Sequence, residues 1–160
     1  MNKNDIIEML NNSGVEYEIT EHIPVFTIEE MMNINLPYPE IVAKNLFVRD
    51  DKKRNYYLIT VKEEKRVNLK EFQEKIGSRK LSFASENDLN LILGLSAGSV
   101  TPFGVLNDDE CRVQVFFDTD FKGEKIGIHP NENTATVWLN TDDIKNIIEK
   151  HGNSFRFIDM

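Results

Sequence analysis

Near the N-terminus, Ile6, Ile7, Met9 and Leu10 recur at helical spacing, with Asn4 as the expected N-cap and Gly14 as the stop. Val15, Tyr17 and Ile19 then alternate with glutamates and a threonine, which predicts a half-buried strand ending near His22 and Pro24. Thr27 with Glu30 forms a capping-box pattern for a short helix through Met32, and Pro37 and Pro39 prevent any continuation. The runs Ile41 to Arg49 and Tyr56 to Val61 predict a hairpin whose polar tip, Asp50-Asp51-Lys52-Lys53-Arg54, carries three adjacent cations. Asn68 caps a helix closed by Gly77, and Ser85 with Asp88 starts another that ends at Gly94. A Gly- and Ser-containing loop follows, from Leu95 to Gly104.

Alternation from Cys111 to Phe117 predicts a strand, as do the β-rich runs 125–129 and 134–139. Thr141 starts a helix closed by Gly152, and a short strand over 154–158 completes the pattern. Strands outnumber helices and the helices are scattered between them. The expectation is an α+β fold: a mixed, curved or barrel-like sheet with flanking helices, in one domain spanning residues 1–160. A length of 160 residues is enough to bury about two-thirds of the unfolded chain's surface around one core. No window approaches the ~18 uninterrupted apolar residues of a membrane span, and no secretory apolar run precedes the acidic residues of MNKNDIIEML. A cytoplasmic protein with no membrane contact is expected, and a single cysteine, Cys111, fits a reducing compartment.

Charge is unevenly distributed. The chain carries a net −8, yet from Lys44 to Lys80 twelve Lys or Arg face six Asp or Glu, so the rest sums to −14. A basic segment on an acidic body suits one phosphate-bearing partner on one face; a solvated run of surface charge accounts for the same composition.

Among motifs with chemistry, Gly94-Leu95-Ser96-Ala97-Gly98 matches the G-x-S-x-G nucleophile elbow. That elbow needs a strand before the serine and a helix after it. Here a capped helix precedes it and Val100, Thr101 and Pro102 oppose a helix behind it, so a backbone-presenting glycine loop is expected instead. Cys111 shares an alternating face with Val113, Val115 and Phe117, as a core residue would. His22, His129 and His151 are too dispersed for the usual zinc spacings, which argues against a catalytic metal. His151 sits where a helix C-terminus would hold it, whereas His129 opens a polar turn able to face a pocket. Lys44 interrupts an apolar strand, an arrangement that is costly unless its ammonium meets an anion or reaches solvent. Asn45 beside it must point to the opposite face unless a bulge intervenes.

Ala43-Lys44-Asn45-Leu46-Phe47, Gly98-Ser99-Val100-Thr101-Pro102 and Gly127-Ile128-His129-Pro130-Asn131 together resemble the editing domains that deacylate mischarged prolyl tRNA. So do His22-Ile23-Pro24-Val25-Phe26-Thr27 and Thr134-Ala135-Thr136-Val137, in the same order along nearly the whole chain. Among these relatives the sequence is most similar to the freestanding alanyl-tRNA(Pro) deacylases. The resemblance implies hydrolysis of the ester joining a wrong amino acid to the terminal ribose, with no metal and no cofactor. It implies a required lysine, here Lys44, with Asn45 beside it as the second catalytic candidate. It also implies an amino-acid subsite built from Gly98, Ser99, Val100, Thr101, Pro102, Ile128 and His129, with His129 as the wall that excludes proline. The partner implied is the acceptor end of tRNA(Pro), with prolyl-tRNA synthetase as a further partner. Lys52, Lys53, Arg54, Arg79 and Lys80 are candidates to follow the acceptor-stem backbone. Cys-tRNA(Pro) or another small aminoacyl-tRNA as substrate, and a non-catalytic module that only binds charged tRNA, remain as alternatives.

Overall fold

A computed structural model describes every residue except Val25, Phe26, Ile28, Met31 and Met32. The expected helix from Thr27 to Met32 and the Val25-Phe26 pair of the resemblance fall partly or wholly outside the described residues. Within them, the Thr27 hydroxyl accepts the Glu30 N–H at 3.1 Å, the first half of a capping box.

Helix α1 (Lys3–Ser13) buries Ile6 and Leu10, one turn apart on one face, and ends on Gly14 at φ 71°. Its cap is Asn2, not Asn4: the Asn2 carboxamide accepts from Asp5 N–H and the Asp5 carboxylate returns to Asn2 N–H, each at 2.9 Å. The reciprocal pair satisfies two orphan donors at once, which Asn4 could not do from inside the first turn.

Two sheets follow from the strand patterns. Strands β1 (Tyr17–Glu21), β6 (Lys125–Ile128) and β7 (Ala135–Asn140) form an antiparallel sheet in the order β1-β7-β6. Strands β2 (Ala43–Asp50), β3 (Tyr56–Lys62), β4 (Leu81–Phe83), β5 (Val113–Asp118) and β8 (Phe155–Ile158) form the other, in the order β4-β2-β3-β5-β8. The β2–β3 hairpin is antiparallel, whereas β3–β5 and β5–β8 are parallel. β3 is buried from Tyr56 through Val61 because it is central and covered on both faces.

The α+β architecture matches the expectation, but the sheets do not close into a barrel. They meet at one parallel bridge, Val42 with Gly127. β4, three residues long, escapes the sequence pattern because it has too few positions to show alternation. Cys111 is also misplaced by that pattern: β5 starts at Val113, and Cys111 lies in a turn at φ 53° with its thiol donating to the His151 carbonyl at 3.6 Å. The turn forms because Asp108, ahead of it, accepts the Val113 N–H at 2.8 Å and sets where the strand begins.

The inner faces of both sheets enclose the main core, with α1, helix α4 (Thr141–His151) and the 3₁₀ turn Pro102–Asn107 packed on it. That 3₁₀ turn takes the end of the segment expected as loop, with Pro102 at its first position. On the outer face, helix α2 (Leu69–Ile76) seats Phe72 against Phe116, ring centroids 5.2 Å apart. Helix α3 (Glu86–Asp88) is capped by Ser85 as expected and runs into a π turn, Leu89–Leu93, before Gly94. Farther along the outer face, Leu36 and Val42 pack against Trp138 under the chain segment that leads into β2.

Gly127 is the tightest point of this arrangement. A β-carbon there would overlap the six-membered ring of its cross-strand partner Trp138. Gly127→Ala should therefore destabilise the protein by about 1–3 kcal/mol, the usual cost of overpacking a filled core. Equilibrium urea unfolding checks this, and an unchanged midpoint would show that the ring has room to move.

Candidate active site

The site lies where β2 runs out of neighbours on its outer edge. At the start of the strand that edge is held by β6 through the Val42–Gly127 bridge, and at its end by β4, which pairs only with Val48 to Asp50. Ala84 N–H extends the β4 contact to the Phe47 carbonyl at 3.0 Å. Between these points, among the described residues, no strand pairs with Lys44 to Leu46 on the side away from β3. β2 and β6 splay apart, and the loop Gly98 to Pro102 occupies the seam.

Side-chain hydrogen bonds take over where the ladder stops. Thr60 on β3 donates to Asn45 Oδ1 at 2.7 Å, and Asn45 Nδ2 donates to the Val100 carbonyl at 3.3 Å. One residue on, the fully buried Thr101 donates its hydroxyl to the His129 carbonyl at 2.6 Å. Val100 and Thr101 thus bridge β2 to the end of β6 and keep buried polar groups paired. Gly98, at φ 88°, makes the turn that brings the loop back into the seam.

The β2–β3 register is regular through Lys44–Val61 and Asn45–Thr60, without a bulge, so the two β2 side chains take opposite faces. Asn45 points inward with Ala43 and Phe47, toward the loop. Lys44 points outward with Val42, Leu46 and Val48. The bridge places this outer face level with that of β6, since Val42 and Trp138 share one cluster and Trp138 covers Gly127. Lys44 and His129 each follow the Val42–Gly127 bridge by two residues, on the outer face of their own segments. The seam therefore has Asn45 and buried Ile128 toward the core, and Lys44 and His129 toward the outside.

His129 has a defined tautomer. Its Nδ1 donates to the Ala135 carbonyl at 2.8 Å, which can only accept, so in the neutral ring Nε2 keeps its lone pair. Burial pulls its pKa below the ordinary histidine value, the Ala135 bond opposes this, and nearby His22 adds to the downward pull. The His22 ring stands edge-on to it with centroids 6.0 Å apart. His22 donates Nδ1–H to the Ile23 carbonyl at 2.8 Å and accepts the Thr136 hydroxyl on Nε2 at 2.9 Å.

Lys44 is half-buried, with Nζ donating to the Lys65 carbonyl. Desolvation lowers its pKa, Arg66 lowers it further, and Glu63 acts in the opposite sense. Glu63 is displaced upward in turn, by its burial and by Glu64.

The remaining candidates lie elsewhere. Lys52, Lys53 and Arg54 occupy the hairpin tip, and Arg79, next to Lys80, is joined to that tip by two hydrogen bonds to Asp51, at 2.5 and 3.0 Å. At ~3.3 Å per strand residue, this cluster stands about 20 Å from Lys44. Ser96 is exposed in a turn closed by Ser99 N–H to its carbonyl at 3.1 Å, so no strand-to-helix elbow presents its hydroxyl. His151 ends α4 as expected and pairs through Nδ1 with Asn153 Oδ1 at 2.7 Å. Among the described residues, no group of three His, Cys, Asp or Glu side chains is arranged to hold a metal ion. No helix among them is long and apolar enough to cross a membrane.

Three seam residues escaped the reading of single motifs. His22 and Thr136 stood within quoted segments, but only strand pairing brings them to His129. Thr60 carried no signal beyond one hydroxyl in an apolar run.

A family model described as an aminoacyl-tRNA editing domain matches residues 22–147. The chain is 43% identical over 159 residues to the prolyl-tRNA editing protein ProX of Acetoanaerobium sticklandii, covering 99% of this chain and 97% of that protein. It is 34% identical over 153 residues to the prolyl-tRNA synthetase associated domain-containing protein 1 of Mus musculus, covering 92% and 90%. A crystal structure described as a candidate trans-editing enzyme for prolyl tRNA synthetase superposes with a TM-score of 0.71 over 98% of this chain and 95% of that one, at 15% identity.

The His129 environment yields a signed pH effect. Its folded-state pKa lies below the ordinary 6.5, so as pH falls the unfolded chain takes up the proton first. The stabilisation is complete above about pH 6.5 and is lost as pH drops through the folded-state value. The urea midpoint should fall from pH 7 to pH 5, and fall less in His129→Gln; parallel curves would contradict a buried neutral imidazole.

Proposed function

The chain belongs to the aminoacyl-tRNA editing domain family, and on that premise we propose that it deacylates mischarged tRNA(Pro), with Ala-tRNA(Pro) as its substrate. The observation that carries this reading is the seam itself. A lysine on β2 and a neutral histidine after β6 follow the Val42–Gly127 bridge on the outer face, and the Gly98 to Pro102 loop is hydrogen-bonded to Asn45 and to the His129 carbonyl beside it.

The chemistry needs no protein nucleophile. An aminoacyl ester is already activated, so a positioned water and the neighbouring ribose hydroxyl suffice if the carbonyl is held in place. Water oxygen bonds to the ester carbon, the bond to the ribose oxygen breaks, and that oxygen leaves with a proton. Lys44 grips phosphate or ribose oxygens of the 3′ end with a charge-assisted hydrogen bond. Asn45 holds the Val100 carbonyl and with it the loop from Gly98 through Ser99, Val100 and Thr101 to Pro102, whose backbone anchors the amino acid. His129, fixed by Ala135 and backed by His22 and Thr136, is the wall. A synthetase pocket shaped for proline cannot strongly reject the smaller alanine, and a second, smaller site that excludes proline supplies the missing discrimination. Prolyl-tRNA synthetase, in the cytoplasm, is the enzyme whose errors this site corrects. The exposed Ser96 makes a serine esterase the weaker reading.

Purified protein with tRNA(Pro) charged in turn with Ala, Cys, Ser and Pro tests the proposal. Ala ester should be cleaved fastest and Pro ester left intact, and Lys44→Ala should lower the Ala rate by about 10²-fold or more. Release of Pro but not Ala would overturn the sieve. Cleavage of Cys alone would transfer the substrate to that amino acid, and a wild-type rate in Lys44→Ala would strip that residue of its role.

Neutralising Lys52, Lys53 and Arg54 together should reduce the slope of log affinity for tRNA(Pro) against log salt by about one to three, one increment per lost phosphate contact. An unaltered slope in filter-binding titrations would return the hairpin tip to ordinary solvated surface.

A further inference from the structure

Lys44 carries its side chain on the open half of β2, where, among the described residues, no strand pairs on the outer edge. A lysine has four rotatable bonds and costs on the order of 2 kcal/mol of rotamer entropy to fix, so an ammonium that must meet one phosphate or ribose oxygen needs a support. The described structure supplies one from the turn after β3. Residues Glu63 to Arg66 leave the strand with Glu63 N–H donating to the Val42 carbonyl at 3.1 Å, and they return the Lys65 carbonyl to Lys44 Nζ. Lys65 N–H closes the turn on the Lys62 carbonyl at 2.9 Å, and the other end of the same residue ties the turn to β5. Lys65 Nζ lies 2.6 Å from Asp118 Oδ2 and 3.1 Å from Asp120 Oδ2.

Asp118 is the last residue of β5 and its side chain is fully buried, whereas Lys65 keeps 30% of its side chain exposed. A buried carboxylate with one cationic partner cannot release it cheaply, so the pair is a fixed point on an otherwise exposed turn. Asp118 Oδ1 also accepts Asp120 N–H at 3.3 Å. A continuous path of contacts therefore runs from the end of a central parallel strand, through one lysine side chain and its own carbonyl, to the ammonium at the seam.

We propose that Lys65, locked to Asp118, is a positioning residue for Lys44: it sets the reach of the Lys44 ammonium and does not itself touch substrate. This rests on the role given to Lys44 above. Two further observations agree with it. The pairing with Asp118 and Asp120 spends the charge of Lys65, which suits a strut and not a phosphate ligand. Arg66, the next residue, is exposed and close enough to Lys44 to press its pKa down, so a turn freed from Asp118 would release both cations from one arrangement.

Lys65→Met keeps the backbone carbonyl and removes the strut. If the stranded Asp118 carboxylate prevents folding, Lys65→Met with Asp118→Asn removes both charges together and serves in its place. Single-turnover deacylation of Ala-tRNA(Pro) with enzyme in excess should slow by about 10- to 100-fold in either variant, the scale of a misplaced catalytic group. The same change added to Lys44→Ala should cost nothing further, because a strut without its load has no effect. Independently of activity, the order parameter of the Lys44 side chain, from ¹³Cε relaxation, should fall in the variant. A wild-type rate, an equal fractional loss with and without Lys44, or an unchanged order parameter would each overturn the proposal. If Lys44→Ala is inactive while Lys65→Met is fully active, only the positioning role falls. If Lys44→Ala is fully active, the role of Lys44 falls and the positioning role with it.

Discussion

β2 has to serve two neighbours on one edge, and the rest of the molecule is arranged around the stretch where it serves neither. A strand edge left open inside a protein strands backbone and side-chain polar groups, each costing about 1–3 kcal/mol if unpaired. Here a loop enters the opening: Thr60 donates to Asn45, Asn45 to the Val100 carbonyl and Thr101 to the His129 carbonyl, while the His129 imidazole takes the Ala135 carbonyl on β7. The same feature that would be a defect in a continuous sheet becomes a gap closed on the inner side by Asn45, Ile128 and the loop, with Lys44 and His129 on the outer side.

The gap presents different side chains on its two sheet faces. Inward, Asn45 and the Val100–Thr101 backbone form a frame tied on one side to β2 and β3 and on the other to the end of the edge strand β6. Outward, Lys44 and His129 stand on different strands and are governed by different surroundings: desolvation and Arg66 act on the lysine, while burial and a carbonyl bond keep the imidazole neutral. In the proposed reaction, on an already activated ester, this division would serve placement and exclusion and not covalent chemistry. Electrostatics sort the surface in the same way. Within the basic run between Lys44 and Lys80, Lys65 is paired with Asp118 and Asp120 and Arg79 with Asp51 at the hairpin tip, while Lys70 and Lys75 lie on α2.

Much of this was legible before any coordinates. Periodicity located α1, α2 and α4, each of which buries one face, and two apolar runs about a polar tip located the β2–β3 hairpin; Asn68 and Gly77 at the two ends of α2 are local signals with local causes. The basic segment, the wrong context of Ser96 and the impossibility of Lys44 and Asn45 sharing a face without a bulge follow from the residues alone. The misplacement of Cys111 shows the limit of alternation: three true strand positions follow it, and only the bond from Asp108 to Val113 N–H decides that the strand starts two residues later.

What the chain determined by itself is therefore what depends on neighbours within a few positions: element type, caps, the sign of charge and the presence of an ammonium in an apolar run. What only the tertiary structure decided is which strands meet. Val42 reaches Gly127, His22 reaches Thr136 and Lys65 reaches Asp118 across separations of 50 to more than 100 residues. No pattern along the chain records such pairings, because they are selected by how whole faces pack and by where a buried polar group can find its one available partner.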